Sequence, residues 1–337
     1  MARTLCVATC LDDGFCRSSV GRSQALARQL ARLARRGQRW RCRACQAGVV
    51  AAAGVAACVV CRIAGGDRLD FVGSGLVSRY AFALEYDGRS FSGWQIQPNR
   101  LTVQGVVEEA VSRMAGHPVR VHAAGRTDAG VHASRQVAHF DTDADRPLTA
   151  WVRGVNSFLP SGVAVLWAKA VPDTFHSRFV AHARHYRYLL LNHPVRPALW
   201  AGRVGWIHQP LDLAAFDDAA QRLLGTHDFS SFRAAECQAK TPVKTLSRIE
   251  LKQVGNLLTV DFSADAFLHH MVRNLMGALL HVAKGNEAPA WIETLLAARQ
   301  RAVAPPTFMP DGLYLAGVSY PAEYGLDTEP EQRHGLI

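Results

Sequence analysis

A chain of 337 residues with 49% apolar content has room for two domains and enough apolar surface to build real cores. Its formal charge of +10 is unevenly spread: residues 1–77 hold 12 Arg, no Lys and 4 Asp, and residues 78–337 carry a net charge of only +2. Global charge therefore gives no ground for a nucleic-acid partner of the main body, which would need a local basic patch. Seven of the eight cysteines lie before residue 62 and the body carries Cys237 alone, which excludes a disulfide framework there and points to a reducing, cytoplasmic compartment.

Three readings compete for residues 1–77. The spacing Cys42-x-x-Cys45, then Cys58-x-x-Cys61, is that of a four-cysteine zinc ribbon, but Cys58 and Cys61 close a featureless apolar run from Ala47. Arg-rich residues 28–43 followed by that run have the form of a targeting segment, and the run is short of the roughly 20 apolar residues a spanning helix needs. A helix over Gln24 to Arg36 places Leu26, Leu30 and Leu33 on one stripe, with nothing of its own to pack on. Arg without Lys, runs of Ala and Val, and scattered Cys favour the third reading, an N-terminal extension that is not a folded part of the protein, with the body beginning near Val77.

In the body, Arg79 to Tyr86 alternates with Tyr80, Phe82, Leu84 and Tyr86 on one face, the mark of a strand. Thr102 caps a helix whose apolar positions Val103, Val106, Val107, Ala110, Val111 and Met114 keep helical spacing. Strands are predicted at Val119–Ala123 and Gln136–Asp141, a helix from Pro147 to about Leu159, and a strand at Val163–Val171. The second half repeats the order: a strand at Ala183–Asn192, a helix from Asp212 to Leu224 stopped by Gly225, and strands Lys244–Val254 and Leu257–Ala264 split by Gly255-Asn256. A helix over Leu268–Lys284, a shorter one near Ala290–Ala298 and a strand at Gly312–Tyr320 follow. Two β-α-β-β-α-β units in tandem are an α+β, ferredoxin-like arrangement, whose sheet face RNA-recognition modules use. The expected divisions are 78–175, 176–325 and a tail at 326–337.

Between the strands of the first half lies a loop with Gly125 and Gly130 at its ends and one carboxylate, Asp128, between Arg126 and His132. A carboxylate with cationic neighbours stays ionised and can serve as base or nucleophile. Taken alone, the loop reads as an ordinary hairpin turn. Arg184, Tyr186 and Tyr188 share a strand face suited to stacking on a base and pairing with phosphate, although packed tyrosines explain it equally. On the Leu268 helix, His270, Arg273, Gly277 and His281 form a stripe beside the core stripe, from which Arg273 could reach a buried carboxylate. As adjacent helical residues, His269 and His270 should point apart, so no metal site is expected. No phosphate-binding glycine loop of Walker type is present either, which leaves a cofactor-free enzyme or no enzyme.

Gly125-Arg-Thr-Asp-Ala-Gly-Val-His-Ala133 resembles, without a departure, the signature loop of TruA-type tRNA pseudouridine synthases. Glu85-Tyr-Asp-Gly88, Gly93-Trp-Gln95, Arg184-His-Tyr-Arg-Tyr188, His269-His-Met-Val-Arg-Asn274 and Gly312-Leu-Tyr-Leu315 match further motifs of that family in the same order, across about residues 78–321. The resemblance implies the pseudouridine synthase fold with a central cleft. It also implies a homodimer without metal or cofactor that isomerises uridine at positions 38, 39 and 40 of the tRNA anticodon stem-loop. By motif, Asp128 is the nucleophile and Arg273 its ion-pair partner. Tyr186 borders the flipped uracil, and Arg126 fills the gap left by that base or holds its phosphate. The competing expectation is a non-catalytic RNA-binding module in which Asp128 serves only the turn.

Overall fold

The computed structural model describes residues 77–326 and, nearer the N-terminus, four short strands. Those strands belong to a separate unit, Met1–Ser74. They are β1 (Val7–Cys10), β2 (Phe15–Ser19), β3 (Trp40–Cys42) and β4 (Gly48–Val49), arranged in that order. The zinc-like spacing through Cys45, Cys58 and Cys61, the helix at 24–36 and the tail beyond residue 326 lie outside the described residues.

The body opens with β5 (Ser78–Tyr86), whose Phe82, Leu84 and Tyr86 are buried, as are Ala81 and Ala83 on its opposite face. Helix α1 (Val103–Ala115) starts where the Thr102 hydroxyl accepts from the Gly105 amide at 3.3 Å, and it ends at Gly116 in the left-handed region. Strands β6 (Val121–Ala123) and β7 (His132–Thr142), helix α2 (Leu148–Phe158) and β8 (Val163–Val171) complete the first half. Trp151 of α2 is fully buried against Tyr80 and Phe140, joining the helix layer to the sheet. The second half runs β9 (Ala183–Asn192), β10 (Gly205–Ile207), α3 (Leu213–Gln221), β11 (Gly225–Asp228), β12 (Val243–Val254), β13 (Leu257–Ala264), α4 (Met271–Ala283), α5 (Trp291–Ala298) and β14 (Leu313–Ser319).

All ten strands of the body form one sheet in the order β11-β12-β13-β9-β14-β7-β5-β8, with β10 beside β9 and β6 beside β7. Each half has the same internal order: its fourth strand, first, third, then second (β8-β5-β7-β6 and β14-β9-β13-β12). The halves meet on β7. One edge of β7 pairs along its length with β5, while the other is shared. Ala138–Phe140 takes the three residues of β6, and His132 and Ala133 pair in parallel with Tyr314 and Leu315 of β14. Because β6 is so short, the start of β7 keeps an open edge for the last strand of the other half. One large apolar cluster, from Tyr80 to Leu326, draws on both halves, and Leu189, Val204 and Tyr314 form a small second one. The body is thus α+β, with the two ferredoxin-like units fused through one sheet. Among the described residues, no helix is long and apolar enough to cross a membrane.

Three local expectations need correction, and one strand was not foreseen. Strand β7 begins at His132 instead of Gln136, drawn out by its pairing with β14. The helix from Asp212 ends at Gln221, and Gly225 opens the edge strand β11 at φ +101°. Strand β10, too short for a periodic signal, forms by parallel pairing with β9. Helix α4 starts at Met271, three residues later than its apolar spacing suggested, because His270 takes a left-handed conformation at φ +60°.

Candidate active site

The chain leaves β6 at Ala123 and returns into β7 at His132, and the intervening loop is fastened from below. The Thr127 carbonyl accepts from the Trp94 amide at 3.0 Å, and the Thr127 hydroxyl bonds the Tyr86 hydroxyl at 2.8 Å. The Gln136 amide donates to the Gly125 carbonyl at 2.7 Å. A Cβ at Gly93 would stand 2.7 Å from the Thr127 carbonyl oxygen, so only glycine lets that backbone lie directly against the loop. The main chain of the loop therefore has little freedom, and the side chain of Asp128 has a defined direction.

That direction is toward the N-terminal end of α4. Arg273 donates through Nη1 to Asp128 Oδ2 at 3.2 Å and through Nε to the Phe308 carbonyl at 2.9 Å. His269 Nε2 lies 3.4 Å from Oδ1 and His270 Nε2 lies 3.4 Å from Oδ2. The helix N-terminus adds favourable dipole charge at the same place. Burial pushes the Asp128 carboxyl up, but His269, His270 and Arg273 together outweigh it and hold it below the usual carboxylate range. His269 is raised, chiefly by its hydrogen bond to Asp128, whereas burial lowers His270, with His269 and Arg273 adding to that effect.

The expectation that His269 and His270 point apart is overturned, because neither lies within the helix. His269 is held by its carbonyl to the Ala234 amide and by its amide to Cys237 Sγ, and His270 sits at positive φ. The two rings therefore lie 4.1 Å apart, both against Asp128. With Asp128 they place three ligating atoms within 4.8 Å of one another, a spacing a metal ion could use. The donor set does not fit a metal centre, however, because the Arg273 guanidinium already occupies Oδ2 and a second cation there would be repelled. The sequence signal for these histidines was their place immediately before the Arg273 helix. What it lacked was the left-handed residue that turns them.

The remaining predicted residues separate. Tyr186 is buried beneath the loop, its hydroxyl 3.9 Å from where a Gly125 Cβ would stand and its ring edge-on to Phe267 at 5.1 Å. Burial pushes its hydroxyl well above the ordinary tyrosine range, so it stays protonated. Arg126 is exposed and makes no ion pair or hydrogen bond among the described residues. His132 does not flank Asp128: as the first residue of β7 it turns away, 3.4 Å from Asp87 and stacked on Tyr314. Tyr188 is core, bonded to the Met309 carbonyl, and the Arg184 guanidinium is spent on the carbonyls of Ala181, Asp265, Ala124 and Arg178. Gly277 has a role the sequence did not disclose. A Cβ there would lie 2.5 Å from the Pro306 carbonyl oxygen, so the glycine admits the segment whose Phe308 carbonyl orients Arg273. An ionised, largely buried carboxylate over an aromatic floor, hydrogen-bonded by Arg273 and 3.4 Å from two imidazole nitrogens, is equipped for nucleophilic attack or proton abstraction.

The sequence model of the tRNA pseudouridine synthase family matches residues 82–180 and 219–321. A tRNA pseudouridine synthase A of Chromobacterium violaceum is 61% identical over 254 residues, 75% of this chain and 97% of that protein. The proteins of the same name from Dechloromonas aromatica and Methylobacillus flagellatus are 60% and 59% identical, each matching 77% of this chain and 99% of its own length.

Two outcomes follow from the geometry. The depressed Asp128 carboxyl stabilises the fold above its ordinary value and loses that contribution as pH falls through the lowered one. The raised His269 contributes fully below its ordinary value and loses its contribution as pH rises through the higher one. Compared by urea unfolding with Asp128→Asn, the wild type should show its largest relative stability between about pH 4 and 6.5, declining on both sides. A pH-independent difference would refute the assignment. Gly277→Ala should cost about 1–3 kcal/mol by driving the 306–308 segment off α4, with a larger loss of activity than of stability. Unchanged thermal unfolding and turnover would show the contact is not needed.

Proposed function

The chain belongs to the tRNA pseudouridine synthase family, and on that premise and the geometry around Asp128 we propose that it isomerises uridine to pseudouridine at positions 38, 39 and 40 of the anticodon stem-loop, with Asp128 as nucleophile. At the level of the family it is an isomerase acting on tRNA. The observation that carries the assignment of the nucleophile is the Asp128 carboxylate, fixed by Arg273, His269 and His270 above the buried Tyr186, and the positions follow from the motif resemblance.

The reaction needs no external reagent. Asp128 attacks carbon 6 of the uracil or the anomeric carbon of the ribose, and the bond from N1 to the sugar breaks. The base turns while held, carbon 5 bonds to the sugar, its proton departs, N1 gains one, and the link to Asp128 is released. Arg273 keeps the carboxylate ionised and aimed. Protonated Tyr186 forms the wall against which the extruded base lies. Arg126, exposed on the same loop, fills the space the base vacates or holds its phosphate. The working form is a cytoplasmic homodimer without metal or cofactor. Residues 1–77, which precede the matched segment, are an extension dispensable for this chemistry.

Asp128→Ala should abolish pseudouridine formation in the anticodon arm while the Kd for tRNA stays within about two- to three-fold, since phosphate contacts supply most of the affinity. Equal modification by both proteins would rule out Asp128, and binding without modification by the wild type would make the protein an RNA-binding module. A chain of residues 77–337 should retain full turnover; its inactivity would place part of the machinery in the first 77 residues.

A further inference from the structure

The turn that joins the two halves leaves one large aromatic ring outside the core. Phe179 is 75% exposed, although its neighbours Phe175 and Ser177 are fully buried. A single exposed apolar side chain is ordinary. What sets this one apart is what lies under and beside it. Its ring stacks on His176 with centres 4.1 Å apart and planes at 28°. His176 in turn stands edge-on to His139 at 4.5 Å and near His122 at 5.8 Å, and His122 stacks on His139 at 5.1 Å. The Arg178 guanidinium lies 5.9 Å from the centre of the Phe179 ring.

The column is rigidly mounted. The Ser177 hydroxyl donates to the His122 carbonyl at 2.7 Å, the Ser177 amide to His139 Nδ1 at 3.2 Å, and the Tyr320 hydroxyl to the Ser177 carbonyl at 2.7 Å. Arg184 donates to the carbonyls of both Arg178 and Ala124, tying the turn to the residue just before Gly125 and the Asp128 loop. Burial, helped by His176 and Arg79, lowers His139 to about 3, and burial with His122 and Arg79 lowers His176. A flat, pre-ordered aromatic face with an exposed guanidinium beside it matches a nucleotide: a base to stack and a phosphate to pair.

We propose that Phe179, backed by His176 and flanked by Arg178, is a stacking platform for an unpaired base of the RNA substrate that flanks the uridine entering the Asp128 pocket. The proposal rests on the reading of the protein as a tRNA-modifying enzyme and adds a contact outside the reacting group. It explains why a phenylalanine is held in solvent instead of buried: ordering the ring in advance removes part of the entropy cost of binding.

The test measures the affinity of full-length protein for an unmodified tRNA transcript at fixed salt, with Phe179→Ala, Phe179→Leu and Phe179→Trp. Alanine and leucine should each raise Kd about five-fold or more, the effect expected for losing one stacked base, and tryptophan should stay within about two-fold. Leucine binding as well as wild type would overturn the proposal, because bulk and not the aromatic face would then matter, and so would unchanged binding of the alanine variant. A change in subunit number for Phe179→Ala, read by light scattering, would reassign the ring to a contact between copies. A wild type that neither binds nor modifies tRNA would sink the functional reading itself, whereas modification with an indifferent Phe179 sinks only the platform.

Discussion

The ion pair between Asp128 and Arg273 holds together residues 145 positions apart in the chain, one from each half of the body. Both side chains are largely buried, and a buried pair of charges contributes little net stability because desolvation offsets the Coulomb gain. Its worth is positional. It sets an ionised carboxylate at one point above Tyr186, and it does so only if the two halves are in register. Much of the local architecture serves that register: the clamp of Trp94 and Tyr86 on the loop, the close approach of Gly93, and the 306–308 segment that lies on Gly277 and holds Arg273 by its other nitrogen.

The sheet provides the register. Two copies of one motif would form two separate sheets if each used all its edges. Here β6 is three residues long because the chain departs early into the Asp128 loop. The edge it leaves open on β7 is taken by β14. The feature that carries the carboxylate is thus also the feature that allows the halves to fuse. On the other side of the junction His132 and Tyr314 stack, so the residue that seemed by sequence to flank Asp128 works as part of the seam.

The surroundings of Asp128 also show how one strained residue changes a site. At positive φ, His270 sits in a conformation that costs a non-glycine residue about 1 kcal/mol or more, of the kind that clusters at functional sites. In return, two histidines that a continuous helix would have separated both face the same carboxylate. The exposed Phe179 is a second place where an unfavourable arrangement, an apolar ring in water, is held by a rigid base of buried polar contacts.

By itself the sequence determined the element order, because alternation in Arg79–Tyr86 and helical spacing in Val103–Met114 are local properties of short windows. It also marked Asp128, Tyr186 and Arg273, through the motifs that carry the family resemblance. What only the tertiary structure decided were features set by partners distant in sequence: where β7 begins, that β10 and β11 exist, and that the halves share one sheet. The same holds for two of the partners of Asp128: charge adjacency in sequence named Arg126 and His132 and the motifs named Arg273, while packing added His269 and His270. Neighbours along a turn splay outward. A carboxylate that must stay ionised out of water has to find its counter-charges across the fold.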